Sequence, residues 1–142
     1  MKNLLILPLI ALFVIGCSNE RKALKEKHDE VLQEVFDAHD VAMPKMGEIN
    51  TLLKQLEEKI DSTSESENYI KAQKDLQAAH KHMMTWMQDF SSKFPDVNQI
   101  ENLDAKELKQ RTDSLISEKP AVEAMRDHVL KSISRAKEIL NN

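Results

Sequence analysis

The chain carries two groups of soft donor side chains at helical spacing. The groups are His39, Met43 and Met46, and then His80, Met83 and Met87. His39 and Met43 are four residues apart and His80 and Met83 are three apart, so the members of each pair share a helix face. Thioether sulfur and imidazole nitrogen form a soft ligand set, which suits Cu(I) or a b-type haem held between helices. These six residues are a candidate site for a metal or haem cofactor.

A second interpretation of the same residues needs no cofactor. Flexible methionines fill irregular gaps in a core, and Pro44 would create such a gap beside Met43. Because methionine clusters fill cores more often than they bind metal, we expect a packed layer without a cofactor and keep copper or haem as the alternative. Covalent haem attachment is excluded, because the chain has one cysteine and no Cys-x-x-Cys-His motif.

No group of residues predicts catalysis. No serine stands at a spacing that pairs it with a histidine and a carboxylate. The dipeptides His28-Asp29 and His39-Asp40 are eleven residues apart, about three helical turns, and we interpret them as a structural repeat with solvated aspartates. We expect His82 to face solvent and His128 to lie at a different depth from the methionines. We therefore predict no enzyme activity and no catalytic residue.

The N-terminal stretch has the layout of a secretory signal. One positive charge is followed by an apolar run from Leu4 to Ile15, which is shorter than the roughly 20 residues that cross a bilayer. The segment Val14-Ile15-Gly16-Cys17 resembles the lipobox of bacterial lipoproteins. This resemblance implies that residues 1–16 are removed, that Cys17 receives acyl chains such as palmitate, and that residues 17–23 tether the fold to the membrane. Ser18, in place of an aspartate, implies the outer membrane of a bacterial cell envelope.

Composition restricts the partners. Removal of residues 1–16 takes Lys2 away and leaves 19 basic against 24 acidic residues, a net charge of −5. An acidic chain without a basic, aromatic-rich segment does not attract phosphate backbones, so no nucleic-acid partner is expected. Only 2 glycines occur, which leaves no glycine-rich loop for a nucleotide phosphate. The membrane is the expected partner, with a further protein or a second copy of the chain as possibilities.

The hydrophobic pattern predicts three long amphipathic helices. The first covers about residues 21–60, with apolar steps of three and four that approach a coiled-coil seam, and Pro44 predicts a kink in it. The second covers about 67–91, and the third opens at a capping box formed by Asp104 and Glu107 and is kinked at Pro120. We predict an all-α, up-down-up antiparallel bundle over residues 24–142.

The connection between the first two helices also predicts their register. A turn centred near Ser64 sets residue i opposite about 127 − i, so that His39 lies near Met87 and Met43 faces Met84. The two soft donor groups would then meet at one depth of the bundle.

The run from His39 to Ile49, with Trp86 to Phe90 downstream, resembles a group of small helical bacterial lipoproteins. These proteins are labelled as viral A-type inclusion protein-like, and the similarity covers most of the chain after Cys17. The group has no established activity, so the resemblance implies a lineage and not a mechanism. It directs attention to His39, Met43, Pro44, Met46 and Met87. The sequence thus predicts a non-enzymatic envelope lipoprotein with a structural or binding role. Soft-metal or haem binding is one alternative, and partner docking or self-association along the helices is another.

Overall fold

The computed structural model describes residues 11–62 and 66–141, with side chains from residue 19 onward except at positions 61–62. Most of the expected signal peptide, the side chain of Cys17 and the centre of the expected turn near Ser64 lie outside the described part. The described residues form four α-helices: α1 (Ala11–Ala42), α2 (Met46–Ser62), α3 (Ser66–Lys93) and α4 (Ala105–Asn141). The described residues contain no strand, so the fold is all-α, as predicted.

The first predicted helix is divided at Pro44. A 3₁₀ turn covers Met43–Lys45 and separates α1 from α2, because proline donates no backbone hydrogen bond and crowds the preceding turn. Ala42 and Ile49 are both fully buried on either side of this turn, so the apolar face continues in phase across it. The sequence predicted one bent helix rather than two separate ones; the structure instead has two α-helical segments, joined at the predicted position by the 3₁₀ turn and keeping one apolar face. Pro120 lies inside α4, which remains α-helical through it.

Local signals fix the start of α4. The backbone N–H of Asp104 donates to Glu107 Oε2 at 2.9 Å, and the backbone N–H of Glu107 donates to Asp104 Oδ1 at 2.8 Å. These reciprocal bonds satisfy two N–H groups that have no partner inside the helix, and they confirm the predicted capping box.

The chain forms two compact units. The first contains the described residues up to Glu34 together with Asp96–Ser117. In it, Arg21 donates from Nη2 to the Glu101 carbonyl at 2.5 Å and from Nε to the Leu103 carbonyl at 3.2 Å. Lys25 Nζ contacts both carboxylate oxygens of Glu101, at 2.6 and 2.7 Å, and holds the pKa of that carboxyl below its usual value. The start of α1 is thus fastened to the connection between α3 and α4.

The second unit contains Val35–Pro95 and the chain from Glu118. Ring contacts pair Phe36 with Phe90 and His39 with Trp86, so α1 and α3 run antiparallel. The residue numbers of these two pairs add to 126 and 125. The predicted register, in which the numbers of facing residues add to about 127, is confirmed to within two residues. Lys93 Nζ lies 2.9 Å from Glu118 Oε2, and this buried carboxylate holds the pKa of Lys93 above its usual value.

The buried face of α3 includes only one of the three soft donors on this helix, Met83. Its core members are Ala72, Leu76, Ala79, Met83, Trp86 and Phe90. These positions follow strict steps of four and three, and a tightly packed seam accepts the small alanines at the places where helices approach closely. Sequence reasoning instead gave weight to His80 and Met87, which the structure places half-buried beside the seam.

Candidate functional site: an aromatic pocket with a histidine and a methionine

A pocket of about 150 Å³ lies in the second unit, between the end of α1 and the second half of α3. Its lining residues are Phe36, His39, Trp86, Met87, Phe90 and Ser91. His39 follows Phe36 by three residues, and Phe90 follows Trp86 by four, so each helix presents one face to the pocket.

Aromatic rings form most of the wall. The centroids of Trp86 and Phe90 are 5.1 Å apart in a stacked pair, and Phe36 meets Phe90 edge-on at 6.0 Å. Phe94 continues the row, 5.0 Å from Phe90. Four of the chain's six Phe, Trp and Tyr residues are gathered here. Each such pair stabilises the packing by about 0.5–1.5 kcal/mol beyond burial.

His39 is oriented by its neighbour. Its Nδ1 lies 2.9 Å from Asp40 Oδ1, while the ring sits 5.7 Å from the ring of Trp86. A carboxylate at Nδ1 favours the tautomer with the proton on that nitrogen, which leaves Nε2 with a free lone pair. The aspartate is solvent-exposed, as expected, but it also bonds back to its histidine. His28 and Asp29 repeat this contact at 3.3 Å in the first unit.

Trp86 contributes a buried polar atom without a partner. The side chain is 6% exposed, and its Nε1 has no hydrogen-bond partner among the described residues. Buried indole N–H groups usually find an acceptor, because an unpaired one costs about 1–3 kcal/mol. The pocket therefore sits beside an unused hydrogen-bond donor.

The six predicted soft donors separate into three environments. His39 and Met87 line the pocket together, as the predicted register required. Met83 is fully buried in the core, whereas Met43 is 46% exposed on the surface. Met46 and His80 are half-buried and are not among the lining residues of the pocket. The structure thus brings one histidine and one methionine of the six into a shared site.

The expectations for His82 and His128 are wrong. Nδ1 of His82 lies 3.2 Å from Nδ1 of His128, which places the two rings against each other between α3 and α4. Burial lowers the pKa of His82, and the neighbouring His128 lowers it further. The prediction failed because the offset between α3 and α4 depends on the path of their connection, which helical periodicity does not specify.

The part of the chain that the structure describes holds no group of three or more His, Cys, Asp and Glu side chains placed to bind a metal ion. None of its helices combines the length and apolarity needed to cross a membrane. Neither a protein-family model, nor a curated protein, nor a solved structure matches the chain.

Proposed function

We propose that the chain is a lipid-anchored lipoprotein of the bacterial cell envelope, and that its bundle is a non-enzymatic binding module. The proposal starts from Val14-Ile15-Gly16-Cys17, whose order and single cysteine match a lipobox. The fastening of Arg21 to the carbonyls of Glu101 and Leu103 is the structural observation that supports it. Arg21 lies four residues after the proposed anchor, so an acylated Cys17 would hold the bundle directly at the membrane surface.

The anchor is tested by replacing its thiol. In Cys17→Ser, we expect an alkynyl palmitate label to be lost and the protein to leave the membrane fraction, because about 0.8 kcal/mol per buried CH₂ is lost with the acyl chains. Ser18→Ala is the matched control and should keep the label. Ser18→Asp should keep it too but move the protein to the inner membrane. Equal labelling of Cys17→Ser and the natural chain would exclude the anchor.

Within this proposal, the aromatic pocket is the binding element. Its volume matches a single aromatic ring or one metal ion with its ligands, and it falls well below the roughly 300–1,000 Å³ of sites for larger ligands. This size favours copper over the haem macrocycle between the two alternative cofactors. Cu(I) is therefore our second candidate function, supported by the position of His39 and Met87 in one pocket.

The chemistry of this wall suits a soft monovalent cation. His39 Nε2 supplies an imidazole lone pair and Met87 supplies a thioether, which are ligands that Cu(I) accepts. The Trp86 ring lies beside both and can stabilise a cation through its negative face. When bound, the ion would be held by these two side chains.

Copper binding is tested on the full chain carrying Cys17→Ser, which removes the competing thiol. Since Trp86 is the single tryptophan, Cu(I) in the pocket should quench the tryptophan fluorescence at a stoichiometry of one. His39→Gln and Met87→Leu should each abolish the quenching. Met84→Leu, on the exposed surface, is the control and should retain it. Quenching that survives both pocket variants would refute the ligand set. The lipid anchor is tested separately by the palmitate label, so this result would not affect it.

A further inference from the structure

A second cluster of donor side chains lies in the same unit, on the side of α3 that faces α4. His82 and His128 approach through their Nδ1 atoms at 3.2 Å, and their ring centroids are 5.5 Å apart. The nitrogens are much closer than the centroids, so each ring directs Nδ1 towards the other. Asp75 Oδ1 lies 3.6 Å from Nε2 of His128, on the far side of that ring.

The separation of the two nitrogens matches shared coordination. Two imidazole nitrogens that bind one tetrahedral zinc ion at about 2.0–2.1 Å lie roughly 3.3 Å from each other. A hydrogen bond between the two nitrogens needs one proton on one Nδ1 and a lone pair on the other. A metal ion would replace that proton with little movement of either helix.

Asp75 stands where an outer carboxylate supports a metal-bound histidine. At 3.6 Å it is too far for a full hydrogen bond, but it attracts a proton to Nε2 and so favours the tautomer with the lone pair on Nδ1. Both His128 and Asp75 are about one-third exposed, which leaves a path for an ion from solvent. The adjacent Met83 and Val129 are fully buried, so the backbone beneath the pair is held by the core.

We propose that His82 and His128 bind one borderline divalent transition-metal ion, with Zn²⁺ as the representative, through their two Nδ1 atoms. Asp75 orients His128 from the outer shell. Because no third His, Cys, Asp or Glu of the described residues joins the pair, water completes the coordination. The ion joins α3 to α4 and is chemically distinct from the Cu(I) of the aromatic pocket. The proposal does not depend on the proposed function.

The test is a calorimetric titration of the full chain carrying Cys17→Ser with ZnCl₂ near pH 7.5. One ion should bind per chain, and the melting temperature should rise with zinc concentration as binding to the folded state requires. His82→Gln and His128→Gln should each abolish binding, and Asp75→Asn should weaken it about tenfold. His80→Gln is the matched control, a half-buried histidine two residues away on α3, and should bind as the natural chain does.

Circular dichroism of each variant without zinc separates lost binding from lost folding. The proposal is overturned if the natural pair binds no zinc, if binding survives either His82→Gln or His128→Gln in a folded protein, or if His80→Gln abolishes it equally. Loss of Cu(I) binding in the pocket variants with zinc binding unchanged would show that the two sites are separate.

Discussion

Replacement of His28 by leucine should stabilise the protein. His28 is fully buried in the first unit, and its Nε2 has no hydrogen-bond partner among the described residues. Its Nδ1 lies 3.3 Å from Oδ1 of Asp29, whose carboxylate is 70% exposed. The histidine therefore occupies an apolar position in the stripe of α1 without a satisfied polar network.

The size of the stability change follows from the unpaired Nε2 and from the contact with Asp29. An unpaired buried polar atom costs about 1–3 kcal/mol. The bond to an exposed aspartate contributes about 0–1 kcal/mol. Leucine has a similar volume and no polar atom, so His28→Leu should raise the free energy of unfolding by about 1–2 kcal/mol. His28→Ala should lower it by about 2 kcal/mol or more, because it leaves a cavity.

The assay is urea unfolding followed by circular dichroism. The dependence of the unfolding free energy on urea concentration must be the same in all variants for the comparison to hold. His80→Leu is the control at a half-buried position, where a change within about 0.5 kcal/mol is expected. If His28→Leu is less stable than the natural chain by more than about 1 kcal/mol, the nitrogen is satisfied in solution and the reasoning fails.

Three further predictions concern separate parts of the fold. Asp104→Ala should destabilise by about 1 kcal/mol in urea unfolding, because it removes the capping box, and no change would mean that α4 does not need this cap. Met83→Ala should cost about 2–5 kcal/mol while the exposed Met84→Ala changes stability by less than about 0.5, and equal costs would contradict the core assignment. Lys137 holds the pKa of Glu48 below its usual 4.5, so this ion pair stabilises the fold above that value and the contribution disappears as the pH falls through the lowered pKa. Glu48→Gln should therefore make stability less dependent on pH in the acidic range, and an unchanged acid profile would count against the pair.

The aromatic pocket was only partly predictable. The turn position gave the register that brings His39 close to Trp86 and Met87, because two helices joined by a short turn have few ways to pair. The concentration of aromatic rings around it was not predicted, because the spacing of histidines and methionines gave no role to Phe36 or Phe94. The register itself sets Phe36 opposite a position near Phe90, so a search for aromatic residues in facing positions of α1 and α3 would have found this cluster.

The His82–His128 pair was not predictable from periodicity. A helix in a three-helix arrangement has two contact faces, and a single apolar stripe identifies only one of them. The second face of α3 is occupied by half-buried polar residues, which carry no hydrophobic signal.

The sequence by itself determined the helical class, the break at Pro44, the capping box at Asp104 and the lipobox-like segment, because each depends on residues within a few positions of one another. The tertiary structure decided which histidines meet. Ala79 and Trp86, and not His80 and Met87, lie in the buried seam of α3 because of how closely whole helices can approach each other. The spacing of residues along one helix does not contain that information.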